Sequence, residues 1–341
     1  MNFAAFQSWR ELCLRTDPNL LDCAETNLYR SLVRLQPKPA ALNPNRLVHR
    51  CDLARAWLDR YGFPEKESSR ALVCSGVRHA LGLIFQELAK DGAVVWIPCD
   101  VYPVYLDLAR KMGIEPLLFS TLPQPKLPDP RNGGRREYML VTNPWKPLGR
   151  FLTDEECDAL TVWLDATPDR CLVLDCVYDL GAPLHSTTQR LWETGRAILL
   201  HSLTKGWLWP KTFGVALMRS GHERLESVLR DNSPSQEQLS FAEKLLSTHI
   251  ELTSQIVATL GVHKRNLLTV LPASVQSRLL LNPACLAPGC YFFAVGIRAE
   301  ELLQQHRILA IPASAFGAEW DGSIITSLAE SFAPKENEAA P

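Results

Sequence analysis

The sequence predicts an α/β fold: a mostly parallel central sheet flanked by helices, with a smaller α+β domain. Three observations predict it. Between residues 53 and 218, short apolar runs of strand character alternate with stretches whose apolar positions recur at helical spacing. After about residue 235 the pattern changes to a long helical stretch and then two further strand-like runs. The chain has 341 residues, of which 46% are hydrophobic, enough to bury one large core and a smaller second one.

Taken in order, helical spacing is found over Leu53 to Tyr61, Val77 to Leu88, Val104 to Lys111 and Asp154 to Leu164. Strands are expected at Val94 to Ile97, Glu115 to Phe119, Tyr138 to Thr142, Cys171 to Leu174, Ala197 to Leu200 and Gly214 to Met218. Each is a short apolar run of the kind buried on both faces of a sheet. Pro123 to Gly134, rich in Pro, Gly and charge, reads as an exposed loop. The long helical stretch runs from Gln236 to Leu271, and the later strands are Cys290 to Ile297 and Ile308 to Ile311. The expected organisation is therefore an N-terminal arm with part of the small domain (1–42), a large domain (43–235), a small C-terminal domain (236–333) and a frayed polar tail (334–341).

A formal charge of −1 with well-mixed signs gives no electrostatic case for a nucleic-acid partner or a membrane surface. The first residues, Met1-Asn2-Phe3-Ala4-Ala5-Phe6, lack the basic-then-apolar order of a signal peptide, and no apolar run is long enough to span a bilayer. The ten cysteines are scattered singly, as at Cys51, Cys74, Cys99 and Cys157, without a C-x-x-C pair. They are expected to be reduced core residues, with no metal site, and the setting to be cytoplasmic.

One constellation carries chemistry. Ser202-Leu203-Thr204-Lys205 follows the apolar run Ala197 to Leu200, which puts an amine behind two hydroxyls at the end of a buried strand. Asp175 and Tyr178 follow Cys171 to Leu174, which puts a carboxylate and a phenol at the end of a second strand. An imine-forming lysine, hydroxyls for a phosphate, an acid partner for a ring nitrogen and a donor for a ring hydroxyl are the four parts of a pyridoxal 5'-phosphate site. An aspartate at a strand end also serves as a helix cap. Lys205 in the right order downstream favours the cofactor reading.

With these motifs in hand, the chain from about 40 to 333 resembles the fold-type I pyridoxal-phosphate enzymes (aspartate aminotransferase-like). The resemblance is closest to the class I/II aminotransferases and their histidinol-phosphate aminotransferase-like branch. Cys74 to Leu81 resembles the family's turn that opens a helix and cradles the cofactor phosphate, which implies Gly76, Val77 and Arg78 as phosphate ligands. Pro98 to Tyr105 resembles the segment that supplies a stacking aromatic, here Tyr102. Asn143-Pro144-Trp145-Lys146-Pro147-Leu148-Gly149 is similar to N-P-x-N-P-T-G, with Lys146 where the family's second Asn meets the ring oxygen. Lys146 then either donates to that oxygen as a point charge or points to solvent. Asp175 and Tyr178 match D-x-x-Y, and Ser202 and Lys205 match S-x-x-K with Thr204 as second hydroxyl. Lys211 stands in for the family's phosphate-binding arginine in a step one residue shorter.

The sixth match, Ile311 to Gly317, resembles V-P-G-S-x-F-G and leads to Ser323 to Ala329. There the family carries R-[IV]-S, whose arginine clamps the substrate α-carboxylate, and Ile325 stands at the arginine position. Either the substrate lacks a carboxylate at that point, or Arg30, Arg34 or Arg46 takes it. The segment Asp22 to Arg34 is placed to close over the site, as N-terminal arms do in the family.

The resemblance implies an aminotransferase-like enzyme acting on an amino acid or amine through an external aldimine, with the large domain binding the cofactor and Lys205 as imine former and acid/base. A lyase, decarboxylase or cyclase on the same scaffold, and a non-catalytic degenerate homologue, are the alternatives. It also implies a homodimer, with residues between Asn43 and Arg50 reaching the partner's site.

Overall fold

The computed structural model describes residues 2–36, 47–63, 69–128, 134–208, 213–219, 221–248 and 251–333. The expected tail at 334–341 and the middle of the loop at 129–133 lie outside the described residues. The chain opens with α1 (Phe3–Thr16), β1 (Leu21–Asp22), α2 (Leu28–Ser31) and α3 (Arg50–Tyr61). There follow β2 (Ser69–Cys74), α4 (Val77–Lys90), β3 (Val94–Pro98), α5 (Val104–Lys111), β4 (Leu117–Phe119), β5 (Glu137–Thr142) and α6 (Asp154–Asp165). Next come β6 (Arg170–Asp175), α7 (Ser186–Glu193), β7 (Ala197–Ser202), α8 (Leu203–Gly206), β8 (Gly214–Arg219), α9 (Glu223–Asp231), α10 (Gln236–Thr248) and α11 (Leu252–Val270). The C-terminal part holds α12 (Ala273–Gln276), β9 (Phe292–Val295), α13 (Ala299–His306), β10 (Ile308–Leu309), β11 (Ile311–Pro312) and β12 (Ser323–Thr326).

The large sheet has seven strands in the order β2-β8-β7-β6-β5-β3-β4. Only β8 runs against the rest, antiparallel to both β2 and β7. Such a sheet is buried on both faces, and alternate residues of β5 show it. Met139 and Val141 join one core with Trp57, Leu174 and Leu199, whereas Tyr138 and Leu140 join the other with Ile84, Phe85 and Ile198. α6 begins where Thr153 and Glu156 form a reciprocal capping box, which fixes the crossover between β5 and β6.

β9, β12 and β11 form a separate antiparallel sheet. A third core, with Leu267, Phe293, Val295, Leu302 and Ile325, lies on one side of it. The N-terminal arm is tied to this part of the molecule: Leu21 and Asp22 pair in parallel with Ile308 and Leu309, and Thr326 N donates to Cys23 O at 2.8 Å. Among the described residues, no helix is long and apolar enough to cross a membrane.

The structure adds helices the sequence reading did not expect, among them α1, α7, α9 and α13, and differs from it elsewhere too. The stretch from Gln236 to Leu271 forms two helices, α10 and α11, with residues 249 and 250 outside the described set. Ile308 to Ile311 is two strands, because Ile308–Leu309 bonds the N-terminal arm and Ile311–Pro312 bonds β12. β2 was not expected: it begins with polar Ser69-Arg70, which leaves an apolar run of only four residues, and it sits at the sheet edge with β8 as its single neighbour.

Candidate active site

The carboxyl ends of the parallel strands are where an open α/β sheet leaves a crevice. β5 leads to Lys146, β6 ends in Asp175, β7 ends in Ser202, and β3 leads through Pro98 to Tyr102 and Tyr105. The register sets these ends side by side, with Thr142 opposite Asp175 and Asp175 opposite Leu200. Four of the expected site segments thus converge at the carboxyl end of the sheet.

Lys205 lies on the short helix α8, which Ser202 caps by accepting from Thr204 N at 3.0 Å. The far end of that turn is pinned by Thr253, whose hydroxyl donates to Gly206 O at 2.8 Å. The Lys205 amine sits 5.5 Å from the centre of the Tyr29 ring and 5.4 Å from that of Tyr178. It forms no ion pair among the described residues. Its pKa is lowered to about 8, first by burial and then by the positive charge of Lys146. An amine so placed is a better nucleophile at neutral pH than a surface lysine.

Asp175 is buried and accepts from Val177 N at 3.1 Å and from the hydroxyl of Tyr105. Lys146 faces inward: its Nζ is 3.9 Å from Asp175 Oδ2, 3.4 Å from the Tyr105 hydroxyl and 4.5 Å from the Tyr178 ring centre. The solvent-pointing alternative for Lys146 is therefore excluded. Tyr178 OH lies 3.0 Å from Tyr291 OH, and Tyr291 OH donates to Thr26 O at 3.3 Å. Burial pushes the Tyr178 phenol well up and the Tyr291 phenol to about 12, so both are donors at neutral pH.

The other end of the crevice suits an anion. Gly76, at φ 109°, is the N-cap of the 14-residue helix α4 and supplies no side-chain cap, which leaves the first-turn amides of Val77 and Arg78 open. Gly214 is required beside it, since a Cβ there would come within 3.1 Å of Val77 N and 3.0 Å of His201 O. The Ser202 hydroxyl is 2.6 Å from Thr204 Oγ1, and both hydroxyls hang on Phe213 O. Arg78 is exposed and within electrostatic reach of Lys205. Lys211 lies outside the described residues.

Tyr102 is 44% exposed, with one ring edge against Phe3 of α1. Its loop is held by buried Asp100, which accepts from Thr121 N at 2.6 Å and Leu122 N at 2.7 Å. Phe3 also stacks on Phe316 of the Ile311-to-Gly317 motif. The N-terminal arm reaches Lys205 directly, as Tyr29 OH donates to Thr204 O at 3.2 Å.

Ile325 is not where the sequence comparison sets it. It is fully buried, pairs with Phe293 and packs in the core that also holds Leu267, Val295 and Leu302. The opposite face of β12 carries Ile324, beside Ala294, and Thr326, beside Phe292, whose ring meets Tyr178 edge-on at 6.1 Å. Ile324 and Thr326 thus share the face of the strand opposite Ile325, and both are buried. Arg30 is 77% exposed and pairs with Glu25 at 3.9 Å, Arg34 is exposed, and Arg46 lies outside the described residues.

Sequence reasoning gave no role to Tyr105, Tyr29 or Tyr291, although Tyr105 stands in the motif that supplied Tyr102. The residues present fit pyridoxal 5'-phosphate: an open helix N-terminus beside paired hydroxyls suits the phosphate, and a carboxylate, phenol and amine converge at the other end.

The model of the family described as aminotransferase class I and II matches residues 47–330. No curated protein matches. Among solved structures, the chain is similar to substrate-bound BacF from Bacillus subtilis, at 14% identity over 97% of this chain and 93% of that one (TM-score 0.71). It is also similar to an aminotransferase from Mycobacterium tuberculosis, at 20% identity over 96% and 92% (TM-score 0.69). A double mutant of aspartate aminotransferase from Thermus thermophilus matches at 17% identity over 96% and 92% (TM-score 0.69). At such identities the structures speak for the fold.

Proposed function

The chain belongs to the class I and II aminotransferases, and on that premise we propose that it takes an amino group from an amino acid or amine, with Lys205 as the amine that binds the cofactor and as acid/base. Pyridoxal 5'-phosphate, the family's cofactor, supplies an electrophilic carbonyl and a ring that withdraws electrons from the substrate carbon. The observation that carries the reading is the Lys205 amine, set between two tyrosine faces beside the strand that ends in Asp175.

Each residue has a part. Asp175 would hold the proton on the ring nitrogen, its own orientation fixed by Tyr105 and Val177 N. Tyr178 and Lys146 would donate to the ring oxygen, and Tyr102 would cover one ring face. The amides behind Gly76, at Val77 and Arg78, with the hydroxyls of Ser202 and Thr204, would hold the phosphate, joined by Lys211. Lys205 Nζ would then take the proton from the substrate Cα and return it.

Neither face of β12 offers the cation that a carboxylate clamp would need: Ile325 lies in an apolar core, and Ile324 and Thr326 are an apolar and a hydroxyl group. Common amino acids such as glutamate and alanine are then poor donors. A homodimer is part of the proposal, supported by the exposure of Val33 and Leu47 on either side of the undescribed segment 37–46. Sedimentation of an active, loaded monomer would remove it.

Borohydride reduction of the loaded enzyme should fix the cofactor on the peptide containing Lys205, and Lys205→Ala should lose that adduct. An adduct undiminished in the variant would end the assignment. Incubating an amine panel without acceptor separates the chemistries. Transamination releases one equivalent of keto product per site, whereas lyase or decarboxylase chemistry turns over many times.

A further inference from the structure

Two lysines border the same ring in this site, and the second one has a task of its own. We propose that Lys146 is a positioning residue that keeps the Lys205 amine unprotonated by holding a fixed positive charge beside the Tyr178 ring that both lysines border. The inference rests on the role given to Lys205 above.

Lys146 Nζ is 4.5 Å and Lys205 Nζ 5.4 Å from the Tyr178 ring centre. The two nitrogens are therefore less than about 10 Å apart, inside a Debye length at ordinary ionic strength. The Lys146 side chain is 11% exposed, so water screens the repulsion poorly.

Every charged or titratable group facing the pair has a stated place. Lys205 faces the rings of Tyr29 and Tyr178, with Asp175 and Arg78 within electrostatic reach. Lys146 faces Asp175, Tyr105 and Tyr178, with the thiols of Cys176 and Cys290 further off. Among the described residues, Asp175 is the group that would hold a proton on Lys205, and its charge is already engaged. It accepts from Tyr105 and Val177 N and pairs with Lys146 at 3.9 Å. Lys146 thus acts twice, by repelling a proton on Lys205 and by neutralising the carboxylate that would attract one. A neutral side chain at 146 would do neither. The lowered pKa of Lys205, for which Lys146 ranks next after burial, is in keeping with this arrangement.

The test reads the amine itself rather than turnover. The full chain, freed of cofactor, is briefly acetylated with acetic anhydride across a pH series, and labelling of the Lys205 peptide is followed by mass spectrometry. The wild-type midpoint should fall near 8. Lys146→Met should raise it by about one pH unit, which is about tenfold slower labelling at neutral pH. Lys146→Arg, which keeps the charge, should stay at the wild-type midpoint. A Lys146→Met midpoint that stays put or falls would overturn the proposal, as would an arginine variant that shifts as far as the methionine one. Should Lys146→Met fail to fold, Lys146→Gln serves instead, with the same upward shift expected; a midpoint unchanged or lowered counts against the proposal. A borohydride-fixed adduct on some other residue would sink the role of Lys205 while leaving these midpoints readable.

Discussion

Replacing Ile325 discriminates between a residue of the substrate pocket and a residue of the apolar core beside β9 and β12. The side chain is fully buried and lies among Leu267, Phe293, Val295 and Leu302. Ile325→Ala deletes three carbons, worth about 0.8 kcal/mol each in transfer from water, or about 2.4 kcal/mol together. The cavity left in a packed core raises this to about 3–4 kcal/mol. Ile325→Arg must place a guanidinium in the same apolar cluster without a partner, at a cost of several kcal/mol. That is a large share of the roughly 5–15 kcal/mol that holds a typical domain together. Guanidinium denaturation of the loaded enzyme, followed by tryptophan fluorescence and by cofactor release, measures both variants. Ile325→Ala should lower the midpoint, and Ile325→Arg should lower it further or give insoluble protein. An Ile325→Arg enzyme of wild-type stability with a lower KM for carboxylate donors would refute the reasoning, because it would mean that the side chain faces the substrate.

Other outcomes follow from the same geometry. Tyr105→Phe removes the hydroxyl that Asp175 accepts from, and a hydrogen bond to a charged group is worth about 1.5–3 kcal/mol. Absorbance titration should show cofactor affinity weakened about tenfold or more, and unchanged affinity would dismiss Tyr105 as an orienting group. Behind β7, buried His201 accepts from Trp57 Nε1 at 3.0 Å and is 3.1 Å from Asp179 O. Burial lowers the His201 pKa from 6.5 to about 4 and raises that of Asp179 from 3.8 to about 6. The two oppose each other: between about pH 4 and 6 the folded state binds the Asp179 proton more tightly than the unfolded state, and the His201 proton less tightly. Stability of His201→Gln should therefore fall as pH rises through that window, and that of Asp179→Asn should rise. Denaturant midpoints with the wild-type slope in both variants would contradict this.

The parts legible in the sequence were those that a short segment carries whole. Lys205 and Asp175 each end an apolar run, so the strand and its chemistry are read together. Tyr105 carries no such mark. Its hydroxyl reaches Asp175 because the preceding turn is anchored by Asp100 to the backbone at Thr121 and Leu122, a contact between the ends of two neighbouring strands. Tyr29 and Tyr291 become neighbours of Lys205 and Tyr178 only once Leu21–Asp22 has paired with Ile308–Leu309. No local pattern announces a pairing between the two ends of a chain.

Ile325 shows the same limit in its sharpest form. Successive residues of a strand point to opposite faces, so a comparison of motifs that is one residue out moves a side chain from the site to the core. In Ser323-Ile324-Ile325-Thr326 two isoleucines stand together, and hydrophobicity cannot say which faces inward. Register decides it. Phe293 opposite Ile325 belongs to the same apolar core as Ile325, and Phe292 opposite Thr326 meets Tyr178. The hydroxyl of Thr326 also donates to Glu25 O at 2.7 Å, which joins this face of the strand to the arm that carries Tyr29. The face of β12 turned toward Phe292 thus carries an aliphatic group and an arm-anchoring hydroxyl, neither of which can clamp a carboxylate.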